Sequence, residues 1–261
     1  MRIALGIEYD GSAYCGWQTQ TSGRAVQAAV DDALSRIADE PVSVQCAGRT
    51  DAGVHACCQV VHFDTGAERD MRAWSLGTNS HLPRDIAVRW AHPVSDDFHA
   101  RFSAESRAYA YVISNRPTRP GLWHDHVCWH YRPLDVPRMN EAASRLLGEH
   151  DFSAFRAAGC QARHPVRRLL RLELERRHDY VVLTIEANAF LQHMVRNIAG
   201  VLMEIGAGAR EPAWAREVLE GRDRRLGGVT AAPGGLYFLA ARYPPRFGLP
   251  STPPEFPFSP G

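Results

Sequence analysis

The chain has 261 residues, of which 45% are hydrophobic and 23% charged, with a formal net charge of +1. That mixture excludes a disordered or fibrous chain and supplies enough apolar surface for a core, while the length admits one large domain or two modest ones. All thirty basic residues are arginine, a choice that suits phosphate and base contacts and that a GC-rich genome also produces.

Met1 to Ile7 is a short apolar run that meets a carboxylate at Glu8, which is too little for a signal peptide. No stretch of about 18 apolar residues follows, so the expectation is a cytoplasmic protein with no membrane segment. Cys15, Cys46, Cys57, Cys58, Cys128 and Cys160 contain no Cys-x-x-Cys pair and read as reduced thiols packed as small hydrophobes. No metal site is expected from them, because tetrahedral sites draw ligands in closely spaced pairs.

In chain order, Arg2 to Tyr9 reads as a strand and Asp10-Gly11-Ser12 as a turn. Val26, Ala29, Val30, Ala33, Leu34 and Ile37 form the stripe of an amphipathic helix. Val42 to Cys46 and Ala56 to Phe63 read as strands flanking a loop, Gly48 to His55. A helical stretch at Met71 to Leu76 and a strand at Ile86 to Trp90 complete a β-α-β-β-α-β order, the ferredoxin-like arrangement.

Further along, Ala108 to Ser114 is a predicted strand, and Met139, Ala142, Ala143, Leu146 and Leu147 mark a helix. Val166 to Arg177 and Tyr180 to Ala187 read as a hairpin turning at His178-Asp179. Phe190 to Ile205 is predicted as the longest helix, with Phe190, Met194, Ile198, Val201, Leu202 and Ile205 on its buried face, and Leu236 to Ala241 as a last strand. Both halves are β-rich with helices segregated to one side, an α+β class. Arg156 to Arg177 holds seven arginines against two glutamates, a basic excess open to RNA phosphate or to solvent. From Pro244 the proline-rich tail is expected to wrap the surface or be mobile.

The chemistry concentrates in Gly48-Arg49-Thr50-Asp51-Ala52-Gly53-Val54-His55. Glycines bracket a carboxylate, and glycine permits the tight backbone that active-site loops need. A lone Asp in such a loop is also well explained as a turn-stabilising acceptor.

The wider pattern is more specific. Together with Tyr9-Asp10-Gly11-Ser12, Gly16-Trp17-Gln18, Asp97 to Ala104, Asn188 to Asn197 and Gly235-Leu236-Tyr237, the loop resembles, in order, the blocks of the tRNA pseudouridine synthase I family. The resemblance spans roughly Arg2 to Tyr243. It implies an isomerase that converts uridine to pseudouridine at positions 38, 39 and 40 of the tRNA anticodon stem-loop. It also implies a homodimer and no cofactor.

The resemblance further implies roles. Asp51 is the nucleophile, attacking C6 of the base or C1′ of the ribose. Arg196 is the basic residue that pairs with it and keeps it ionised. Tyr109, in Arg107-Ala108-Tyr109-Ala110-Tyr111, is the active-site tyrosine, able to stack on the extracted base. Arg49 holds phosphate or helps extrude the base, Leu236 packs beneath the tyrosine, and Trp17 stacks on RNA or packs in the fold. Alanine at 108 and 110, where relatives carry more basic residues, puts phosphate contacts there in doubt.

The implied fold is two ferredoxin-like, RRM-like halves in a continuous, mostly antiparallel sheet with helices on one side and the active-site cleft between the halves. Residues 1–104 carry the Asp loop, 105–243 the tyrosine and arginine, and 244–261 form the tail. Two rival readings are a metal-dependent hydrolase using Asp51, His55, His62 and Asp64 and a non-catalytic RNA-binding module, whose RNP1 pattern is absent.

Overall fold

A computed structural model describes residues 1–250 and Phe256. The chain forms two compact units, residues 1–107 with those from Tyr237 onward, and residues 108–236. Ten strands, mostly antiparallel, and five α-helices among the described residues make it a mixed α+β protein.

The first unit contains β1 (Arg2–Tyr9), α1 (Val26–Ala38), β2 (Gln45–Cys46), β3 (His55–Asp64), α2 (Thr78–His81) and β4 (Ile86–Val94). β1 lies between β4 and β3, antiparallel to both. β2 adds antiparallel to β3, and β10 (Leu236–Arg242) adds parallel to β3's first residues. β3 is buried at every position but Asp64, which is why its sequence runs apolar without alternating. Cys57 and Cys58 are both buried because successive side chains of a strand point to opposite faces and both faces are covered.

The Val42 to Cys46 strand shrinks to Gln45–Cys46 for a local reason. Upstream of it, the amide of Val42 donates to Ser35 Oγ and that of Val44 to Asp31 Oδ1, so helix side chains take the place of a ladder. Met71 to Leu76 is helical, widening into a π-type turn at Ala73–Gly77 that buries Trp74.

The second unit contains β5 (Ser106–Asn115, whose first two residues belong to the first unit), β6 (Cys128–His130), α3 (Val136–Ser144), β7 (Gly148–Asp151), β8 (Val166–Arg177), β9 (Tyr180–Ala187), α4 (Met194–Gly206) and α5 (Trp214–Gly221). The strand order is β5-β9-β8-β7, with β6 parallel to β5. The predicted β8–β9 hairpin forms with its turn at His178-Asp179. In β8, Leu169 and Leu172 are buried while Leu170 is 49% exposed, because a bulge between Leu169 and Arg171 resets the alternation.

One predicted helix starts late. α4 begins at Met194, not Phe190, because His193 adopts left-handed backbone geometry (φ 62°) at its N-cap, which a continuing helix cannot accommodate. Phe190 is therefore off the helix, and α4 is 13 residues long, the same as α1. α4 is buried on nearly all sides, which identifies it as a core helix.

The expected tail falls partly outside the described residues. Within them, Phe247 is buried with its ring 5.1 Å from Phe98, and Phe256 lies 5.2 Å from Tyr237. No helix among the described residues is long and apolar enough to cross a membrane.

Candidate active site

The Asp51 loop enters from Ala47 and leaves into β3, with buried and exposed residues interleaved along it. Thr50, Val54 and His55 are buried, Asp51 is half-buried, and Arg49 and Ala52 are exposed. The sequence on either side of Gly16 is what clamps it. Trp17 donates its amide to the Thr50 carbonyl at 3.0 Å, and the Gly53 amide donates to the Tyr14 carbonyl at 3.3 Å. The Tyr9 and Thr50 hydroxyls are 2.7 Å apart in the interior.

Gly16 makes this approach possible. Its φ is +102°, and a Cβ there would stand 2.7 Å from the Thr50 carbonyl oxygen. Within the loop, the Val54 amide closes a turn on the Asp51 carbonyl and Gly53 takes φ +74°, the backbone freedom expected of a glycine beside the carboxylate. Asp51 is thus fixed through its own carbonyl and through Thr50 and Gly53 on either side of it.

His55 closes the loop at the entry to β3. It is 2% exposed, stacks on Tyr237 at 4.8 Å and accepts the Gly11 amide at Nδ1. That bond makes Nδ1 an acceptor and leaves the imidazole proton on Nε2, and the Asp10 carboxylate lies 3.1 Å from Nδ1. Trp17 is 1% exposed and packs its ring 5.8 Å from Tyr9, which places it in the core of the unit.

A second support stands beneath the loop's root. Arg107 is 9% exposed and its guanidinium donates to the carbonyls of Ala47, Ala104 and Arg101. It therefore fastens the residue before Gly48 to the Asp97-to-Ala104 block. The sequence drew attention to this arginine only as part of the tyrosine motif. Its signal was a charged residue opening a strand that is otherwise apolar.

The histidines of the hydrolase reading have structural duties. His62 Nδ1 accepts the Ala100 amide at 3.2 Å, and burial, aided by His99 and Arg2, lowers its pKa to about 4. The Asp64 carboxylate is held by Arg2 through two bonds of 2.8 Å. Burial pushes the Cys46 thiol up to about 11, opposed by the guanidiniums of Arg49 and Arg101.

The second unit holds Tyr109, Arg196 and Leu236. Tyr109 and Tyr111 lie two apart on β5, and both are buried. Tyr109 meets the edge of Phe190 at 5.0 Å with rings at 82°, so the residue displaced from α4 becomes the tyrosine's neighbour. Tyr111 donates its hydroxyl to the Ala232 carbonyl, and burial raises its pKa well above the usual phenol value against a lowering influence of Arg196. Leu236 is 6% exposed.

Arg196, half-buried on the first turn of α4, donates from Nε to the Ala231 carbonyl at 2.8 Å, and its own carbonyl accepts the Ala231 amide. Gly200, one turn on, lets this segment lie against the helix, since a Cβ there would meet the Val229 carbonyl at 2.0 Å. The adjacent Asn197 is 1% exposed and bonds the Phe155 carbonyl, Arg224 and Thr230. The Ala231 carbonyl thereby orients the Arg196 guanidinium, while Asn197 anchors the same turn of the helix.

The basic excess at Arg156 to Arg177 is largely engaged. Arg156, Arg167 and Arg176 donate to main-chain carbonyls, Arg171 and Arg177 pair with Glu173 and Glu175, and Arg163 and Arg168 are exposed.

The model of one family, tRNA pseudouridine synthase, matches residues 6–103 and 142–244. The chain belongs to the tRNA pseudouridine synthase family. It is 58% identical over 253 residues to tRNA pseudouridine synthase A of Alcanivorax borkumensis, covering 97% of this chain and 95% of that protein. The protein of the same name from Coxiella burnetii is 56% identical over 97% of each chain, and that of Thiobacillus denitrificans 55% identical over 99% of this chain and all of its own. As a member of this family the chain is an enzyme, an isomerase of uridine in tRNA, and the hydrolase and binding-module readings fall.

Proposed function

We propose that this enzyme forms pseudouridine at positions 38, 39 and 40 of the tRNA anticodon stem-loop, with Asp51 as the nucleophile. The carboxylate attacks the uridine at C6 or at C1′, the glycosidic bond breaks, the base turns, and C5 bonds the sugar. Arg196 pairs with Asp51 and favours its ionised form, while the Tyr109 ring stacks on the extracted base. Arg49 contacts phosphate during extrusion, Leu236 packs beneath the tyrosine, and Trp17 supports the loop from the core.

The observation that carries this reading is the loop itself, in which a half-buried carboxylate stands between buried Thr50 and Val54 on backbone clamped by Tyr14 and Trp17. A nucleophile benefits from such fixation, since a pre-aligned group reacts without a further entropic cost. No protein-bound cofactor is required by a redox-neutral isomerisation.

Residues 1–104 and 105–243 act in this reading as two ferredoxin-like halves, one bearing Asp51 and the other Tyr109 and Arg196, in a continuous sheet with the cleft between them. The spatial order β4-β1-β3 with β2 beyond β3 supports the first half. The enzyme works in the cytoplasm, as a homodimer, and the exposed Leu122, Trp123, Trp129 and Tyr131 of the second unit support a subunit contact. The test is incubation with unmodified tRNA followed by pseudouridine mapping. Product at 38, 39 and 40 is expected, and product confined elsewhere overturns the positional assignment.

A further inference from the structure

The turn from His99 to Ser103 is held more firmly than its surface position requires. Ser103 donates its amide to the His99 carbonyl and receives the His99 amide at its Oγ, each at 2.9 Å. His99 Nδ1 accepts the amides of Arg101 and Phe102 at 3.1 and 3.3 Å. Ala100 donates to His62 and its carbonyl accepts the Tyr243 hydroxyl at 2.6 Å, while the Arg101 carbonyl is bound by Arg107.

The two side chains at the apex of this turn face outward. Phe102 is 75% exposed, with its ring 4.4 Å from His99 and 5.6 Å from the Arg101 guanidinium. A large apolar ring fixed in water contributes nothing to the core, so its rigid support has a different use. The same Arg107 that holds the turn also holds Ala47, at the root of the Asp51 loop. The turn is thereby tied, through one buried guanidinium, to the segment from which the Asp51 loop springs, and Arg101 is the cation beside the ring.

An aromatic ring beside a guanidinium on a rigid support is the composition that binds unpaired nucleotides, the ring stacking on a base and the cation taking its phosphate. One exposed ring is far too little for a stable subunit contact, which buries about 800 Å² on each partner. We propose that Phe102 and Arg101 form a docking knuckle for the substrate RNA, Phe102 stacking on an unpaired base close to the target uridine and Arg101 binding an adjoining phosphate. This rests on the tRNA-modifying reading above and adds the contact that holds the loop strand beside Asp51.

The experiment measures binding of unmodified tRNA by fluorescence anisotropy for the wild-type chain and for Phe102→Ala, Phe102→Leu, Phe102→Tyr and Arg101→Gln, over a range of salt, with pseudouridine formation measured in parallel. Phe102→Ala and Phe102→Leu are expected to bind about tenfold more weakly, with KM rising in step, because one base stack is lost. Phe102→Tyr keeps the ring and binds as the wild type. Arg101→Gln lowers the slope of log Kd against log salt by about 0.7 to 0.9, one phosphate contact.

Unchanged affinity in Phe102→Ala, or full binding by Phe102→Leu, overturns the proposal. So does a change in sedimentation mass with RNA binding intact, which assigns the ring to a protein contact. Wild-type protein that binds tRNA yet forms no pseudouridine overturns the activity reading instead, and the comparison of affinities still decides the knuckle.

Discussion

The hydroxyls of Tyr9 and Thr50 meet at 2.7 Å in the interior, one residue ahead of Asp51. The first strand thereby fixes the backbone from which the carboxylate projects. In Tyr9→Phe the Thr50 hydroxyl loses its partner, and stability falls by about 1 kcal/mol. With Asp51 as the proposed nucleophile, activity falls more than stability, by about tenfold in kcat with little change in KM, because small displacements of a reacting group are costly. Chemical denaturation and steady-state kinetics on tRNA read the two effects separately.

Gly16→Ala strains the same junction from the other side. Its φ of +102° and the 2.7 Å approach of a Cβ to the Thr50 carbonyl force the loop to move. The expected loss is about 1–3 kcal/mol, with kcat reduced beyond that of Tyr9→Phe. A Gly16→Ala protein with wild-type melting temperature and rate would show that the loop is not clamped there.

Gly200→Ala gives a prediction whose sign is diagnostic. In an ordinary helix interior this change stabilises by up to about 1 kcal/mol. Here the new methyl group meets the Val229 carbonyl, so the change destabilises by about 1–3 kcal/mol. It also shifts Ala231, to which Arg196 is bonded through both backbone and side chain, and kcat falls.

Two titrating groups, buried His62 and half-buried Asp31, give opposite pH dependences. The unfolded chain protonates His62 near its ordinary value of 6.5 and the folded chain only at about 4. The unfolded state therefore holds more protons between those values, so the contribution is complete above pH 6.5 and is lost as pH falls toward 4. Burial raises Asp31 from 3.8 to about 6, so the folded state binds the extra proton and stability falls as pH rises through that window. His62→Gln, which keeps an acceptor for Ala100, flattens the acid limb. Asp31→Asn keeps an acceptor for Val44 and stabilises at pH 7 by about 1 kcal/mol, a gain that vanishes below pH 4. Denaturation midpoints from pH 4 to 8 check both.

The legible parts of the fold were those whose local pattern and burial agree. β1 and the β8–β9 hairpin run to their predicted limits, and α1 spans its predicted stripe and ends one residue beyond it, because periodicity and turn residues alone determine them. The start of α4 was hidden because nothing in Phe190 to His193 breaks apolar spacing, and the left-handed backbone of His193 is set by tertiary packing. β6, β7 and α5 are short elements with weak patterns. In the candidate site, the glycine-bracketed loop that carries Asp51 was readable as a motif. The supports were not, since the bonds of Arg107 to Ala47 and of Tyr9 to Thr50 join residues distant in sequence.

The measurement that tests the central claim most directly is pseudouridine formation on unmodified tRNA by the wild-type chain, Asp51→Ala and Asp51→Asn, with each protein's folding verified by thermal melting. Asp51→Asn keeps the shape and removes the nucleophilic charge. Product from the wild type alone, with all three proteins folded and binding tRNA, is the predicted result. Product from either variant at a rate near the wild type would contradict the assignment of Asp51 as the nucleophile.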